Sequence, residues 1–162
     1  TGSGALLLTL LSERPAAAGV GIDASSRAIE TATENARALD LANDWRFERR
    51  SWLDDGWQDD LGRFDLVVCN PPYVEADALL DADVHDYEPG EALFAGPEGL
   101  DDYRVLIPKL PELLAENGVA IFEIGHQQAE SVAQIASEAG FSSELRRDLA
   151  GRPRALILRP KP

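Results

Sequence analysis

Phe64-Asp65-Leu66-Val67-Val68-Cys69, followed at once by Asn70-Pro71-Pro72-Tyr73, is the passage on which the fold turns. The first six residues are apolar enough for a strand buried on both faces, central in a parallel sheet. Two successive prolines have no backbone N–H to give a neighbouring strand, so the strand must stop at Asn70. Upstream, residues 3–13 are predicted helical, opened by a glycine-rich turn and closed before Pro15. Residues 19–22 form a short apolar run ending at Asp23, a predicted buried strand. Ser25-Ser26 caps a helix reaching about Leu39, with Ile29, Ala32, Ala36 and Leu39 on one face. Residues 45–49 are a further predicted strand.

Downstream lies a long loop, then a helix predicted over 101–116, with Pro108 and Pro111 placed to kink or divide it. Asn117-Gly118 is read as its close. A strand follows over 119–124, then a helix over 126–139 stopped by Gly140. Residues 141–147 and 155–159 read as an antiparallel strand pair. Strands alternating with helices at short spacing mean βαβ units. The expected fold is α/β: a Rossmann-like, doubly wound, mostly parallel sheet with an antiparallel C-terminal pair. Ligands of such sheets sit outside the carboxyl ends of the strands. Chemistry is therefore expected at Gly2 and Gly4, at Asp23, after Arg49 and at Asn70.

Composition sets the outer bounds. The 162 residues are 44% hydrophobic and 27% charged, which suits one globular domain over 1–162 with no repeat or linker. One cysteine, Cys69, excludes an internal disulfide framework and fits a reducing, cytoplasmic compartment. Two histidines and one cysteine are too few for a structural zinc site, and no metal is expected. No apolar run approaches the ~20 residues that span a bilayer. Of 29 acidic and 15 basic residues, giving a net charge of −14, fifteen acids and one base fall between Asp54 and Asp102. The rest of the chain balances. Such a run is either a solvated loop or a negative rim that draws a cationic partner and repels phosphate backbones.

Three constellations carry chemistry. Thr1-Gly2-Ser3-Gly4 opens a helix, and Asp23 ends the next strand, where a carboxylate can accept ribose hydroxyls. Asn70-Pro71-Pro72-Tyr73 is more specific. A conjugated nitrogen, such as a carboxamide or an exocyclic base amine, attacks poorly until its N–H bonds point at fixed acceptors. The Asn70 side-chain oxygen and the Pro71 carbonyl can supply two, the prolines keep them aimed, and Tyr73 offers a flat face. Third, Trp52 after Ser51 could cover a purine ring. Trp45 and Trp57 read as packing, Cys69 as an inert core thiol, and His85 and His126 as surface or capping residues.

Together these residues resemble the class I S-adenosylmethionine-dependent methyltransferases, and more narrowly the PrmC/HemK family, which methylates a glutamine of peptide-chain release factors. In that resemblance Thr1-Gly2-Ser3-Gly4-Ala5 is the methionine-binding turn and Asp23-Ala24-Ser25 holds the ribose. Trp52 falls beside the adenine, preceded by Ser51 where relatives carry an acid. Asn70 and Pro71 bind the glutamine amide, with Asn70 also facing the cofactor. Tyr87-Glu88-Pro89, Ala92-Leu93, Gly96, Gly99-Leu100 and the tail 148–154 complete the match.

The resemblance implies methyl transfer from S-adenosylmethionine, leaving S-adenosylhomocysteine, to the N5 amide nitrogen of a Gly-Gly-Gln glutamine in class-1 release factors. It implies a cytoplasmic monomer without direct nucleic-acid or membrane contacts. It also implies that the family's first strand and N-terminal helical domain precede Thr1 in a longer chain. The alternative enzyme methylates an exocyclic amine of adenine or guanine in RNA or DNA, with Tyr73 stacking on a flipped base. A third reading is a binding module without turnover.

Overall fold

A computed structural model describes residues 1–74 and 95–162. The chain divides into two compact units, Thr1–Leu61 and Gly62–Pro162. The first holds α1 (Ala5–Glu13), β1 (Gly19–Asp23), α2 (Ser26–Ala38) and β2 (Trp45–Arg49). β1 and β2 are parallel, with Gly19 opposite Trp45 and Asp23 opposite Arg49. The Ser25 hydroxyl accepts from the Ala28 N–H at 3.3 Å and opens α2 as an N-cap. Ala32 and Ala36, one turn apart, are buried, as are Leu8 and Leu11 of α1.

The second unit holds β3 (Phe64–Cys69), α3 (Asp101–Leu106), a 3₁₀ turn (Ile107–Lys109), α4 (Leu110–Leu113), β4 (Leu114–Glu123), α5 (Ala129–Glu138), β5 (Phe141–Arg147) and β6 (Pro153–Pro160). Its sheet runs β3-β4-β6-β5. β3 and β4 are parallel, whereas β6 is antiparallel to both β4 and β5. The mixed α/β architecture and the antiparallel end agree with the expectation. Tyr103, Ile107, Leu110, Phe122, Ile124, Val132, Leu156 and Leu158 form the buried core, with the Tyr103 and Phe122 rings tilted at 6.2 Å.

Some local expectations need correction. The helix predicted over 101–116 ends at Leu113, with 3₁₀ geometry where Pro108 removes a helical donor. Asn117-Gly118 does not close it but lies within β4. Phe64 pairs with Leu114 and Leu66 with Val119, so 115–118 form an excursion in the ladder. Gly118 is required there, because a Cβ would stand 2.7 Å from the Phe64 carbonyl oxygen. Among the described residues β3 pairs on one side only, and Leu66 and Val68 are 40% and 36% exposed. In the described four-stranded sheet, β3 therefore stands first in the order.

Candidate active site

In the first unit, Thr1, Gly2 and Asp23 are drawn together at the carboxyl end of β1. Asp23 Oδ2 accepts from the Gly2 N–H at 2.8 Å with the Thr1 backbone nitrogen 2.9 Å away, and Oδ1 accepts from the Ser25 N–H at 2.9 Å. Burial pushes the Asp23 carboxyl up, but these donors outweigh it and hold the group below the usual carboxylate range. A carboxylate offers about four acceptor positions, and the Gly2 and Ser25 N–H groups take one on each oxygen, which leaves room for a ligand hydroxyl.

The two glycines of the turn differ. Gly4 opens α1 at φ +80°, and a Cβ there would crowd Ala32, Leu8 and Phe47 at 3.1–3.3 Å. Its reason is packing. Gly2, at φ +55°, faces open space, which suits close approach of a ligand to the backbone. Ser3 is exposed, and its carbonyl accepts from the Asn35 amide at 2.9 Å. The Arg50 N–H donates to the Asp23 carbonyl at 3.0 Å, so Ser51 and Trp52 follow directly beside that residue. The Ser51 hydroxyl accepts from the Leu53 N–H at 3.2 Å, and Trp52 is half-buried in the same turn. Trp57 is buried, as its packing role requires.

In the second unit, Asn70 stands exposed immediately after β3, and Pro71 behind it is buried. No described residue hydrogen-bonds the Asn70 side chain or the Pro71 carbonyl, so both acceptors are available. Pro72 and Tyr73 are half-buried. The turn is tied down beyond them. The Gln128 amide Nε2 donates to the carbonyls of Tyr73 (3.0 Å) and Gly99 (3.1 Å), while its Oε1 accepts from the Gly125 N–H at 3.0 Å. The Ala95 N–H donates to the Val74 carbonyl at 3.0 Å. The Tyr73 hydroxyl donates to Glu123 Oε1 at 3.1 Å. Burial raises the Tyr73 hydroxyl pKa, and the Glu123 carboxylate raises it further. Tyr73 therefore stays a neutral donor.

Desolvation pushes the Cys69 thiol up to about 12, but the side chain is half-buried at the end of β3 and is not part of the core, contrary to the expectation for it. His126 is exposed. His85, Tyr87-Glu88-Pro89 and Ala92-Leu93 lie outside the described residues, as does the middle of the acidic stretch. Among the described residues no group of His, Cys, Asp or Glu could hold a metal ion, and no helix is long and apolar enough to cross a membrane.

Sequence reasoning missed Glu123 and Gln128. Glu123 did carry a signal: it is a charged residue at the carboxyl end of an apolar strand, the position Asp23 and Asn70 hold on theirs. Gln128 carried none, because its partners lie 29 and 55 residues away.

Known proteins share this arrangement of elements. The sequence profile described as a methyltransferase domain matches residues 1–144. The chain is 44% identical to the release factor glutamine methyltransferase of Rhodospirillum rubrum, over 98% of this chain and 49% of that protein. It is 42% identical to the same-named protein of Caulobacter vibrioides, over 96% of this chain and 54% of that one. It thus spans about half the length of these curated relatives. Among solved structures, a ribosomal protein L11 methylase from Lactobacillus delbrueckii superposes with a TM-score of 0.65 and 27% identity, covering 99% of this chain and 66% of that one.

Proposed function

The chain belongs to the methyltransferase domain family, and on that premise we propose that it transfers a methyl group from S-adenosylmethionine to the side-chain amide nitrogen of a glutamine, within the Gly-Gly-Gln motif of a class-1 peptide-chain release factor. The observation that carries this reading is the pair of acceptors at Asn70 and Pro71, unengaged among the described residues and placed at a strand's carboxyl end. The names borne by relatives at 42–44% identity support the glutamine as substrate.

S-adenosylmethionine, when bound, supplies an electrophilic methyl on a sulfonium and leaves as S-adenosylhomocysteine once the carbon–sulfur bond breaks. Gly2 lets its backbone approach the cofactor, Asp23 offers an acceptor to a ribose hydroxyl, and Trp52 a face for the adenine; Thr1, Ser3, Gly4 and Ser51 complete the turns that carry these groups. Asn70 and Pro71 accept the two amide hydrogens of the substrate. Held so, the nitrogen lone pair would be turned out of conjugation and made available for methylation. Tyr73 packs on the amide plane. Once the carbon–nitrogen bond has formed, the nitrogen is acidic and loses its proton to water. Positioning supplies most of the rate, with effective molarities of order 10⁵ M or more for well-held pairs.

Charge argues for a protein substrate over nucleic acid. Arg63 is the single base between Asp54 and Asp102, and its guanidinium donates to the Pro111 and Leu114 carbonyls at 3.0 and 2.7 Å. It is committed to the fold, leaving that stretch no cation for a phosphate path. The proposed setting is the cytoplasm, with the chain acting as a monomer.

The test is methyl transfer to a Gly-Gly-Gln-containing release factor, compared with bulk tRNA, rRNA and DNA. Transfer to the release factor alone is expected. Asn70→Ala should lose more than about 10³-fold of that rate, since the aimed acceptor does the electrostatic work, with cofactor affinity within a few-fold. Methylation of nucleic acid instead, or full activity in the variant, would refute the reading.

A further inference from the structure

We propose that Glu123 is a positioning residue: acting through the Tyr73 hydroxyl, it sets the angle at which the Tyr73 ring meets the substrate amide. The inference rests on the reading that Tyr73 packs on that amide.

Glu123 ends β4 and is fixed from several sides. Its main-chain carbonyl accepts from the buried Tyr103 hydroxyl at 2.8 Å. The following N–H, of Ile124, donates to the Arg154 carbonyl at 2.9 Å, where β4 meets β6. Its carboxylate faces two groups, the Tyr73 hydroxyl at 3.1 Å and Arg154 Nη1 at 3.6 Å. Arg154 Nη2 lies 3.8 Å from Asp148 Oδ2, and Asp148 Oδ1 accepts from the N–H groups of Ala150 and Arg152, both at 2.9 Å. The carboxylate that receives the Tyr73 hydroxyl is thus oriented by a cation that is itself held at a hairpin turn.

A tyrosine has two side-chain torsions. Packing restricts the first, but a ring that is only half-buried can still swing on the second. Here both ends are tethered. Gln128 holds the Tyr73 carbonyl and Glu123 its hydroxyl; the phenol oxygen lies on the axis of the second torsion, so the bond fixes where that axis points and, because a phenol O–H lies in its ring plane, favours the plane that contains the acceptor. A flat face helps methyl transfer only if its plane matches that of the amide, and a displacement of about 1 Å can cost about 10²-fold in rate. The tether is a charge-assisted hydrogen bond, with the phenol as donor and the carboxylate as acceptor. The Glu123–Arg154 pair is partly exposed, and its use is aim rather than stability.

The experiment has two arms on the same variants: Tyr73→Phe, Glu123→Ala, Glu123→Gln and the Tyr73→Phe/Glu123→Ala double variant. In the first arm, tyrosine-labelled protein is examined by NMR without substrate or cofactor. Glu123→Ala should shift and average the Tyr73 ring signals, assigned by their loss in Tyr73→Phe, while the Tyr103 signals persist as evidence of a folded core. Glu123→Gln keeps an acceptor in place and should restore the wild-type Tyr73 signals. In the second arm, kcat for release-factor methylation should fall about tenfold in Tyr73→Phe and in Glu123→Ala, and no further in the double variant, with KM for S-adenosylmethionine unchanged.

Unchanged Tyr73 signals in Glu123→Ala overturn the inference, whatever the activity. Multiplying losses in the double variant overturn it as well. Absence of methylation by the wild type refutes the proposed function, while the first arm still decides whether Glu123 fixes the ring.

Discussion

Gly99 offers the sharpest test of how the Asn70–Tyr73 turn is held. Its φ of +65° is one that side chains rarely adopt, and a Cβ there would overlap the Tyr73 carbonyl oxygen and stand 2.7 Å from Gln128 Nε2. Gly99→Ala therefore suffers three penalties: about 1–2 kcal/mol for the left-handed backbone, about 1–3 for overpacking, and about 1 for the Gln128 hydrogen bond that must lengthen. A gain of about 0.5–1 kcal/mol from the stiffer unfolded chain offsets part of this. The expected loss is about 2–5.5 kcal/mol. Gly140 is the control, since its φ is +89° with nothing within 4 Å of a Cβ. Gly140→Ala should cost about 1 kcal/mol, the conformational penalty less the unfolded-state gain. Urea unfolding of both variants, followed by far-UV circular dichroism, isolates the steric part as their difference. Release-factor methylation should fall about 10²-fold in Gly99→Ala if the carbonyl shift reaches Asn70, and stay near wild type in Gly140→Ala. Equal stability losses in the two variants would show that Gly99 does not press on Tyr73, and the account of the turn would fail.

Other outcomes follow from the same geometry. Asp23→Asn should weaken S-adenosylmethionine binding at least about tenfold, as removal of a charged hydrogen-bond partner does; calorimetric titration checks this, and unchanged affinity would remove Asp23 from the site. Because the folded Asp23 carboxyl titrates below its unfolded value, its stabilisation is present above about pH 4 and lost as pH falls through the lowered folded value. Wild type and Asp23→Asn should therefore differ in stability at neutral pH and converge on acidification; parallel pH profiles would contradict the donors assigned to it. Cys69, pushed up to about 12 by desolvation, should resist a thiol-specific disulfide reagent at pH 8 until the protein is denatured, and stoichiometric labelling of native protein would show its surroundings to be wetter.

What could be read from the sequence was what neighbours in sequence determine. Pro71 and Pro72 end β3 where expected, because a missing donor is a local fact. Ser25 opens α2 for the same kind of reason, through its own hydroxyl. Asn117-Gly118 misled because an Asn-Gly pair is an ordinary turn signal, and only the opposing Phe64 carbonyl makes it an excursion within a strand. The Asn70 acceptors were legible from residue types alone. The groups that hold their turn, Glu123 and Gln128, were not, since each meets it across 50 or more residues.

The division at Leu61 and Gly62 has a spectroscopic consequence. All three tryptophans, Trp45, Trp52 and Trp57, precede it, and all three tyrosines, Tyr73, Tyr87 and Tyr103, follow it. Emission excited at the red edge of the indole band is therefore a private signal of the first unit. Phenol absorbance watches the second. Overlaying the two melting curves from a single sample reveals whether the halves come apart as one cooperative event or in sequence, with no label and no substitution.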